Sequence, residues 1–346
     1  MTFTLNKLLI VIAGLILGSV LLTSLIFFSW LKKDVSVPLD KNIVTIEKGS
    51  SLYALGKKLH QQELIQWPWV WVRYAQYSEL TAIKAGEYRL PEKISPIELL
   101  KLFNKGEVIQ YQITLVEGLN FKELLALIHK KSGIKNSLQG LSEIEIIQSL
   151  QIDLDNLEGW FYPDTYSWIS GDSDTHILLQ AYKKMLKVLD EEWQNRAQGL
   201  PYKNAYEALI MASIVEKETG AAFERELIAG VFVRRLQAGM RLATDPTVIY
   251  GMGEAYSGNL RRKDLKAATP FNTYVIKGLP PTPIASPGRE AIHAALHPAA
   301  GSAIYFVAKG DGTHEFSDTL EAHNIAVKKY QLKRKSDYRS SPIQVN

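Results

Sequence analysis

The sequence predicts an α+β protein of two or three domains behind a single N-terminal transmembrane helix. An uncharged apolar stretch covers residues 8–31, and short strand-like segments are followed by helical segments between residues 41 and 130. A long apolar helical segment at 203–219 precedes a turn-rich stretch. Strands and helices interspersed in this way indicate a mixed fold class. At 346 residues the chain is too long for one small domain.

The composition fits packed domains and excludes several kinds of site. Hydrophobic residues make up 46% of the chain, and the net charge is +4. This mild positive charge suits contact with anionic surfaces. No block of Lys and Arg is interleaved with aromatic residues, so we expect no nucleic-acid partner. The chain has no cysteine, which excludes disulfides, thiolate zinc sites, iron–sulfur centres and cysteine nucleophiles.

The apolar stretch at 8–31 is long enough to cross a bilayer. Lys7 precedes it, and Lys32 and Lys33 follow it. A cleaved signal peptide would have a shorter apolar run and a small-residue cleavage site. We therefore expect a retained anchor with Trp30 at the membrane interface. The flanking charges leave the orientation open, and the short N-terminal flank favours an inside amino terminus with an outside body.

Three strand–turn–helix units are predicted between residues 41 and 130. Apolar residues in a strand-like run precede apolar residues at helical spacing in each unit. The pairs are 43–47 with a helix from Leu52, 86–90 with a helix from Pro96, and 113–118 with a helix from Phe121. Ser95 supplies an N-cap for the second helix, whose first turn contains Pro96. The units form either a scaffold or a carbohydrate-binding module.

Residues 157–166 are dense in aromatic residues and turn formers. Four large aromatic side chains within seven residues predict either a corner of the core or a platform for sugar rings. Beyond them we expect helices, a turn-rich cleft wall, two strands and a polar basic tail. The helices are predicted at 176–193, 203–219, 224–239 and 291–296, the turn-rich segments at 243–251, 272–274 and 278–288, and the strands at 304–307 and 312–316. Gly220 is expected to end the helix at 203–219 as its C-cap glycine.

Two carboxyl groups, those of Glu216 and Glu218, lie at the end of the apolar helix at 203–219. Positions two apart on a helix differ by about 200°, so these side chains cannot share a face. Glu218 lies on the more apolar side, with Met211 and Ile214, and apolar surroundings raise the pKa of a carboxyl. A carboxyl that keeps its proton near neutral pH can donate it to a leaving group. Glu218 is therefore the candidate general acid; the alternative is two solvated charges in a terminal turn.

Other chemical motifs are missing from the sequence. His293 and His297 have the i, i+4 spacing of metal ligands on a helix, but no third ligand is near in sequence. We expect surface histidines and no metal. Ser213 has no His/Asp partner at a known spacing, and a Gly-x-Ser-x-Gly elbow is absent. Because neither a Walker-type nor a Gly-x-Gly-x-x-Gly loop occurs, we expect no cofactor.

The ordered motifs of the chain resemble the YceG-like family of endolytic murein transglycosylases, from the anchor to about Tyr330. The segments that carry the resemblance are the anchor, 44–59, 157–166, 212–218, 244–251, 272–274 and 278–281. The resemblance implies a bacterial inner-membrane protein with one span and a periplasmic body. That body would contain a LysM-like α+β subdomain and a mixed α/β catalytic domain of the lytic-transglycosylase kind. The expected organisation is a cytoplasmic stub at 1–7, the transmembrane helix at 8–31, a linker at 32–40, the LysM-like subdomain at 41–110, a connecting α+β region at 111–200, the catalytic domain at 201–330 and a polar tail at 331–346.

The resemblance also implies a substrate and a reaction. The family cuts the β-1,4 bond between N-acetylmuramic acid and N-acetylglucosamine in nascent peptidoglycan strands. It leaves 1,6-anhydro ends and terminates strand growth, which implies peptidoglycan synthases as partners. The family's catalytic residue is the second Glu of Glu-Lys-Glu, which is Glu218 here. Candidate substrate-binding residues are Glu216, Asp245, Asn272 and Tyr274, each with a structural role as the alternative.

Two other functions stay open on the sequence alone. A muramidase would use water, with Asp245 or Glu224 as a second carboxylate roughly 5–9 Å from the first. A non-catalytic membrane-anchored scaffold would bind peptidoglycan without cleaving it. A hydrolase product is heavier by one water than the anhydro product, and a scaffold releases no fragments. Product analysis therefore separates the three functions.

Overall fold

The computed structural model of the chain describes residues 2–332, which fall into two units. Unit 1 contains the residues up to Tyr111 together with Trp168–Asp172, and unit 2 contains Gln112–Ser167 and the chain from Ser173 onward. Apart from its first two residues, the polar tail predicted at 331–346 lies outside the described residues.

Unit 1 surrounds two small antiparallel sheets with helices. Its elements are α1 (Thr2–Lys32), β1 (Val35–Ser36), β2 (Ile43–Ile46), α2 (Leu52–Gln61), α3 (Pro68–Tyr77), β3 (Gly86–Arg89), β4 (Lys93–Ile94) and α4 (Pro96–Lys105). Strand β1 pairs with β4, and β2 pairs with β3 with Val44 opposite Tyr88. Fully buried side chains, among them Leu59, Trp71 and Phe103, fill the space between the sheets and the helices. Burial of this apolar area stabilises unit 1.

Side-chain caps start the helices of unit 1 where the sequence predicts them. The hydroxyl of Ser51 accepts a hydrogen bond from the N–H of Ala54 at the start of α2. Ser95 and Glu98 form a capping box at the start of α4, with Pro96 in its first turn. Such caps satisfy backbone groups that a helix end leaves without partners. The predicted strand–helix pairs 43–47 with Leu52 and 86–90 with Pro96 are confirmed.

Helix α1 contains a segment that is long and apolar enough to cross a membrane. That segment, Lys7–Lys32, has a mean hydropathy of 2.7, and its most apolar window is not buried by the rest of the protein. The carboxyl-terminal part of α1 packs on the rest of unit 1, where Leu31 is buried and Trp30 contacts Trp67. A long apolar helix with no protein cover fits an anchor in a bilayer.

Unit 2 is mainly helical. Its elements are α5 (Phe121–His129), α6 (Glu143–Leu150), α7 (Asp174–Gln194), α8 (Ala205–Glu218), α9 (Arg225–Gln237), α10 (Asp245–Met252), α11 (Arg289–Leu296), β7 (Tyr305–Ala308), β8 (His314–Ser317) and α12 (Leu320–Tyr330). Strands β7 and β8 pair antiparallel. Two further strands, β5 (Tyr111–Thr114) and β6 (Thr165–Trp168), form a two-stranded sheet. The predicted mixture of helices and small sheets is thus confirmed.

Helix α8 is the central element of unit 2. It packs against α7, α9, α10 and α11. Every residue from Ala208 to Val215 is buried, which is the expected state of a helix that is apolar on all sides. Ser213 lies within this core, where its hydroxyl donates to the carbonyl of Ile210 and accepts from the N–H of Ile284. These bonds attach the loop before α11 to the central helix.

Two sequence predictions in this region are wrong. The stretch at 243–251, expected to be irregular, contains helix α10, which has Pro246 in its first turn and packs against α8. Gly220 is not the C-cap of α8: the helix ends at Glu218, and Thr219 is extended with φ −141° and ψ 136°. The Thr219 hydroxyl accepts from the N–H of Ala221, which stabilises this exit from the helix.

Gly159 is required by its surroundings in the aromatic segment at 157–166. Its φ is +80°, and an added Cβ would lie 2.5 Å from Cβ of Pro283 and 2.6 Å from its Cγ. A left-handed conformation costs a residue with a Cβ roughly 1–2 kcal/mol. Overpacking against a rigid ring adds roughly 1–3 kcal/mol. We therefore expect Gly159→Ala to lower the free energy of unfolding by about 2–5 kcal/mol in denaturant titrations.

Gly199→Ala is the matched control for this prediction. Gly199 has a similar φ of +74° but no atom within 4 Å of the position of a Cβ. The control measures the backbone cost alone. Equal losses of stability in the two variants would contradict the contact between Gly159 and Pro283.

Candidate active site

The carboxyl of Glu218, the last residue of α8, has a pKa well above that of an ordinary glutamate. The pKa of Glu218 is raised to about 7, chiefly because burial removes water from its carboxyl, and the nearby charge of Asp245 acts in the same direction. A hydrogen bond from Thr244 and the positive charge of Arg235 act in the opposite direction without cancelling the effect of burial. A carboxyl with a raised pKa keeps its proton closer to neutral pH than an ordinary glutamate does, as a general acid requires.

Thr244 fixes the orientation of the Glu218 carboxyl. The Thr244 hydroxyl donates a hydrogen bond to Oε1 of Glu218, which leaves Oε2 as the oxygen free to carry the proton. Thr244 is buried and is held by two further buried threonines. The hydroxyl of Thr273 accepts from the Thr244 N–H at 3.0 Å, and the hydroxyl of Thr247 donates to the Thr244 carbonyl at 2.9 Å. We call Thr244, Thr247 and Thr273 the threonine clamp.

Asp245 and Tyr274, both predicted site residues, lie together beside Glu218. The hydroxyl of Tyr274 donates to Oδ1 of Asp245 at 2.7 Å. Burial raises the pKa of Tyr274, as do the charges of Asp245 and Glu218, so the phenol stays a donor. Asp245 is exposed in the first turn of α10. A negative charge so placed can stabilise positive charge that develops on a substrate next to Glu218.

Arg235 is a buried cation near this acidic group. Its Nε donates to the carbonyl of Ile304 at 2.6 Å, and its Nη1 donates to the carbonyl of Leu242 at 2.6 Å. These bonds hold the guanidinium in place on α9. Its charge favours the ionised form of Glu218, so it stabilises the carboxylate that remains after a proton transfer.

Glu216 faces a different part of unit 2 from Glu218, as their spacing on the helix requires. Its Oε2 accepts from the N–H of Gly288 at 3.0 Å, at the amino end of α11. Its Oε1 lies 3.7 Å from Nη2 of Arg225. Burial raises the pKa of Glu216. These contacts fit a structural role in fixing α11 against α8, because a carboxylate at a helix amino terminus is stabilised there.

Asn272 is fully buried, and its amide is occupied by the backbone of its own loop. Its Nδ2 donates to the carbonyls of Asp264 and Ala267, and its Oδ1 accepts from the N–H of Tyr274. Of the four candidate substrate-binding residues, the structure brings Asp245 and Tyr274 next to Glu218. It places Glu216 against α11 and uses Asn272 to shape the loop that carries Tyr274.

The aromatic segment at 157–166 combines core and surface positions. Phe161 and Tyr166 are buried, as expected of a corner of the core. Trp160 is partly exposed and stacks on Tyr206, with ring centroids 5.3 Å apart and planes within 6°. Tyr162 is also partly exposed. Phe161 and Tyr166 thus fit the predicted corner of the core, whereas Trp160 and Tyr162 fit the predicted platform for sugar rings.

Glu158 is a second carboxyl with a perturbed pKa, which the sequence analysis missed. Burial raises the pKa of Glu158 to about 7. Its Oε1 accepts from the N–H of Phe121, and its Oε2 accepts from the hydroxyl of Tyr250 at 2.9 Å. Both oxygens thus bond to protein donors, which fits a role in joining α5 to α10. No local signal predicts this, because Tyr250 lies 92 residues away in the chain.

The histidine pair at the end of α11 acquires a third neighbour in the folded chain. Ligand atoms of Glu192, His293 and His297 lie within 4.8 Å of one another. Nδ1 of His293 is 2.9 Å from Oε2 of Glu192, and Nε2 of His297 is 2.8 Å from the carbonyl of Asn195. The two imidazole rings stack with planes 16° apart. Nearly parallel rings do not direct their in-plane lone pairs at one ion, so this group is a weak candidate for a metal site.

The threonine clamp and Arg235 are site residues that the sequence analysis did not identify. The sequence contains one usable signal: Thr-Asp-Pro is a common start of a helix, and reading 244–246 in that way predicts α10. The contact of Thr244 with Glu218 depends on how α10 packs against α8. Packing of that kind has no periodic signature in the chain.

Comparison with known proteins identifies the family of the chain. Residues 44–329 match the YceG-like family. The chain is 30% identical over 333 residues to the endolytic murein transglycosylase of Bacillus subtilis (strain 168), with 91% of each chain covered. It is 28% identical over 331 residues to the protein of that name from Streptococcus pneumoniae serotype 2, covering 84% of this chain and 59% of that relative.

A solved structure agrees with these sequence relationships. The crystal structure of a yceG-like protein from Listeria monocytogenes superposes with a TM-score of 0.51 at 28% identity, covering 85% of this chain and 99% of that one. The sequence match and the structural match each extend over most of the chain, so together they show that this protein belongs to the YceG-like family.

Proposed function

We propose that this chain is a membrane-anchored endolytic murein transglycosylase in which Glu218 is the only acid–base residue. It cleaves the β-1,4 bond between N-acetylmuramic acid and N-acetylglucosamine in peptidoglycan strands. The observation that carries the proposal is the Glu218 carboxyl, whose pKa is raised to about 7 and whose orientation is fixed by Thr244. The name shared by the relatives from B. subtilis and S. pneumoniae supports the substrate and the reaction.

The proposed reaction uses one carboxyl for both proton transfers and no water. The proton on Glu218 moves to the glycosidic oxygen as the bond from that oxygen to C1 of the muramic acid breaks, which releases the 4-hydroxyl of the glucosamine. The muramic acid ring gains positive charge, and the negative charge of Asp245 stabilises it. The Glu218 carboxylate then takes the proton of the C6 hydroxyl, whose oxygen bonds to C1. The 1,6-anhydro ring closes, and Glu218 is protonated again.

An internal nucleophile removes the need for a second catalytic carboxylate. The C6 hydroxyl belongs to the sugar that it attacks, so it gains from proximity. A water-using enzyme would need a second carboxylate roughly 5–9 Å from the acid. Glu224 is unsuited to that role, because it is buried and both of its carboxyl oxygens bond to His314. Its Oε1 accepts a hydrogen bond from the backbone N–H of His314 at 2.9 Å, and its Oε2 lies 2.8 Å from Nδ1 of that residue. Asp245 is the remaining candidate for a muramidase mechanism.

Product analysis tests the proposal. The full-length protein is incubated with purified glycan strands, and the fragments are measured by mass spectrometry. We expect new chain ends with the mass of 1,6-anhydro-N-acetylmuramic acid. Ends heavier by one water would show a muramidase and contradict the single-carboxyl mechanism, whereas binding without fragments would show a scaffold.

The location and partners follow from the same proposal. Helix α1 is a single-pass anchor in the bacterial inner membrane, with its amino terminus in the cytoplasm and the chain after α1 in the periplasm. Residues 41–110 form the LysM-like subdomain. Cleavage of nascent strands ends their elongation, so peptidoglycan synthases are the expected partners.

Thr244→Val should lower the catalytic rate without leaving a cavity in the core, because valine matches threonine in shape. The variant removes the donor to Glu218, and loss of a hydrogen bond to a charged group costs about 1–3 kcal/mol. We expect kcat to fall by about one order of magnitude. The bond lowers the pKa of Glu218, so its loss should also shift the alkaline limb of the pH–rate profile upward.

Thr244→Ser is the control, because it keeps the hydroxyl. It should lose much less activity than the valine variant and should keep the alkaline limb in place. A purely structural role of Thr244 would instead reduce the activity of both variants and leave the limb unchanged in each.

A further inference from the structure

One face of α3 forms an apolar aromatic surface beside the anchor. Trp67, Trp69 and Val70 line one groove together with Thr23, Ile26 and Phe27 of α1. Trp69 is 67% exposed, although a large aromatic side chain in water is costly. All of these residues belong to unit 1.

The position of this surface along α1 indicates what covers it. Thr23 and Ile26 precede Lys32, the charged end of the apolar span, by nine and six residues. At a rise of about 1.5 Å per residue, they lie about 14 and 9 Å inside that end. A groove at this depth is at the level of the lipid headgroups or the outer acyl chains, not in bulk water.

The contacts around the groove tie α3 to the anchor rather than leaving it free. The rings of Trp30 and Trp67 have centroids 5.0 Å apart, and those of Phe27 and Tyr74 are 5.8 Å apart. Helix α3 therefore cannot move away from the membrane without breaking these contacts. Tryptophan and tyrosine concentrate at membrane interfaces, where one part of the ring is apolar and the other polar.

The charges beside the surface suit the same location. Arg73 is exposed and lies four residues after Trp69, on the same face of α3. Lys32 and Lys33, at the end of the anchor, are also exposed. Cations at this level can bind the phosphate groups of lipids while the aromatic rings lie below them.

We infer that α3 is a second membrane contact: Trp69 and Val70 insert into the interfacial layer of the leaflet that faces the body of the protein. Its partner is phospholipid. The inference rests on the proposed anchoring role of α1. Two contacts hold unit 1 at a fixed height and orientation on the bilayer, whereas one helix followed by a linker would let it rotate and move away.

Spin labels can measure the depth of this surface, because the native chain contains no cysteine. Single cysteines are placed at Trp69, at Ile26 as the anchor reference, and at Tyr53 as the control. Tyr53 is an aromatic residue of α2 that is 64% exposed, close to the exposure of Trp69. The full-length variants are reconstituted into phospholipid vesicles, and collision rates with oxygen and with a water-soluble nickel chelate are compared.

We expect the ratio of oxygen to nickel collisions to be several-fold higher at positions 26 and 69 than at position 53. A cysteine at Arg73, which keeps Trp69, should give an intermediate ratio at headgroup level and covers the case in which Trp69→Cys perturbs folding. If the label at position 26 collides rarely with the nickel chelate while those at positions 69 and 73 collide as often as the one at position 53, α3 is not a second membrane contact. The role of α1 as an anchor is then unaffected. If position 26 is itself open to nickel, the anchor assignment fails and the inference fails with it.

Discussion

Glu218→Gln should abolish bond cleavage while leaving the fold intact. Glutamine has the shape of glutamate and can still accept the hydrogen bond from Thr244, but its amide is not acidic enough to transfer a proton to the leaving group. General acid–base catalysis contributes about 10²–10⁴ in rate, and in the proposed mechanism one residue serves both proton transfers. We expect kcat with purified glycan strands to fall by at least about 10³.

Glu216→Gln is the matched control, since it changes the neighbouring carboxyl on the same helix turn. Glu216 bonds to Gly288 and lies near Arg225, so its loss should lower stability more than activity. If Glu218→Gln kept measurable formation of anhydro ends while Glu216→Gln lost it, the assignment of the two residues would be reversed.

The same Glu218→Gln variant should be more stable than the wild type at alkaline pH. The folded state disfavours the ionised carboxyl, because its pKa is about 7 against a value of 4.5 for an unperturbed glutamate. Below pH 4.5 the group is protonated in both folded and unfolded states, so it contributes no pH-dependent cost. The cost grows as the pH rises from 4.5 to 7 and reaches about 3 kcal/mol above that range.

Thermal unfolding of the two proteins in one detergent measures this cost. At pH 8 the midpoint of Glu218→Gln should exceed that of the wild type by about 5–10 °C, and at pH 4.5 the difference should nearly vanish. Glu226→Gln, an exposed position on α9, is the control and should change the midpoint equally little at both pH values. A Glu218→Gln variant less stable than the wild type at pH 8 would show that the carboxylate is favoured in the fold.

The parts of the fold that depend on local chemistry were predictable. Ser51 and Ser95 cap α2 and α4 because a hydroxyl next to an apolar helical run satisfies free N–H groups. Helices α3 and α6 were not predicted, although Ser142 and Glu145 form a capping box at the start of α6. The Ser-x-x-Glu spacing at 142–145 is the local signal for this helix start.

Local sequence signals gave the wrong structure where the same short segment is compatible with both a turn and a helix end. Thr-Asp-Pro at 244–246 occurs both in turns and at helix starts, and only the packing of α10 against α8 decides between them. The predicted glycine stop at Gly220 failed because Thr219 bonds to the N–H of Ala221 instead.

The acid of the candidate site was predictable, and so were its neighbours Asp245 and Tyr274, but the residues that orient and stabilise the acid were not. The apolar stripe of α8 predicts a raised pKa for Glu218, and the structure has that direction. Thr244 and Arg235 act on Glu218 from other helices, at positions that tertiary packing alone determines. The same holds for Glu158, whose partners Phe121 and Tyr250 come from distant segments.

The pH dependence of kcat/KM for cleavage of glycan strands tests the central claim most directly. If the protonated Glu218 carboxyl, with a pKa of about 7, donates the proton that breaks the bond, kcat/KM should be level between pH 5 and 6. It should then fall about tenfold per pH unit above 7. A profile that stays level up to pH 9, or one that already falls above pH 5, would contradict the account.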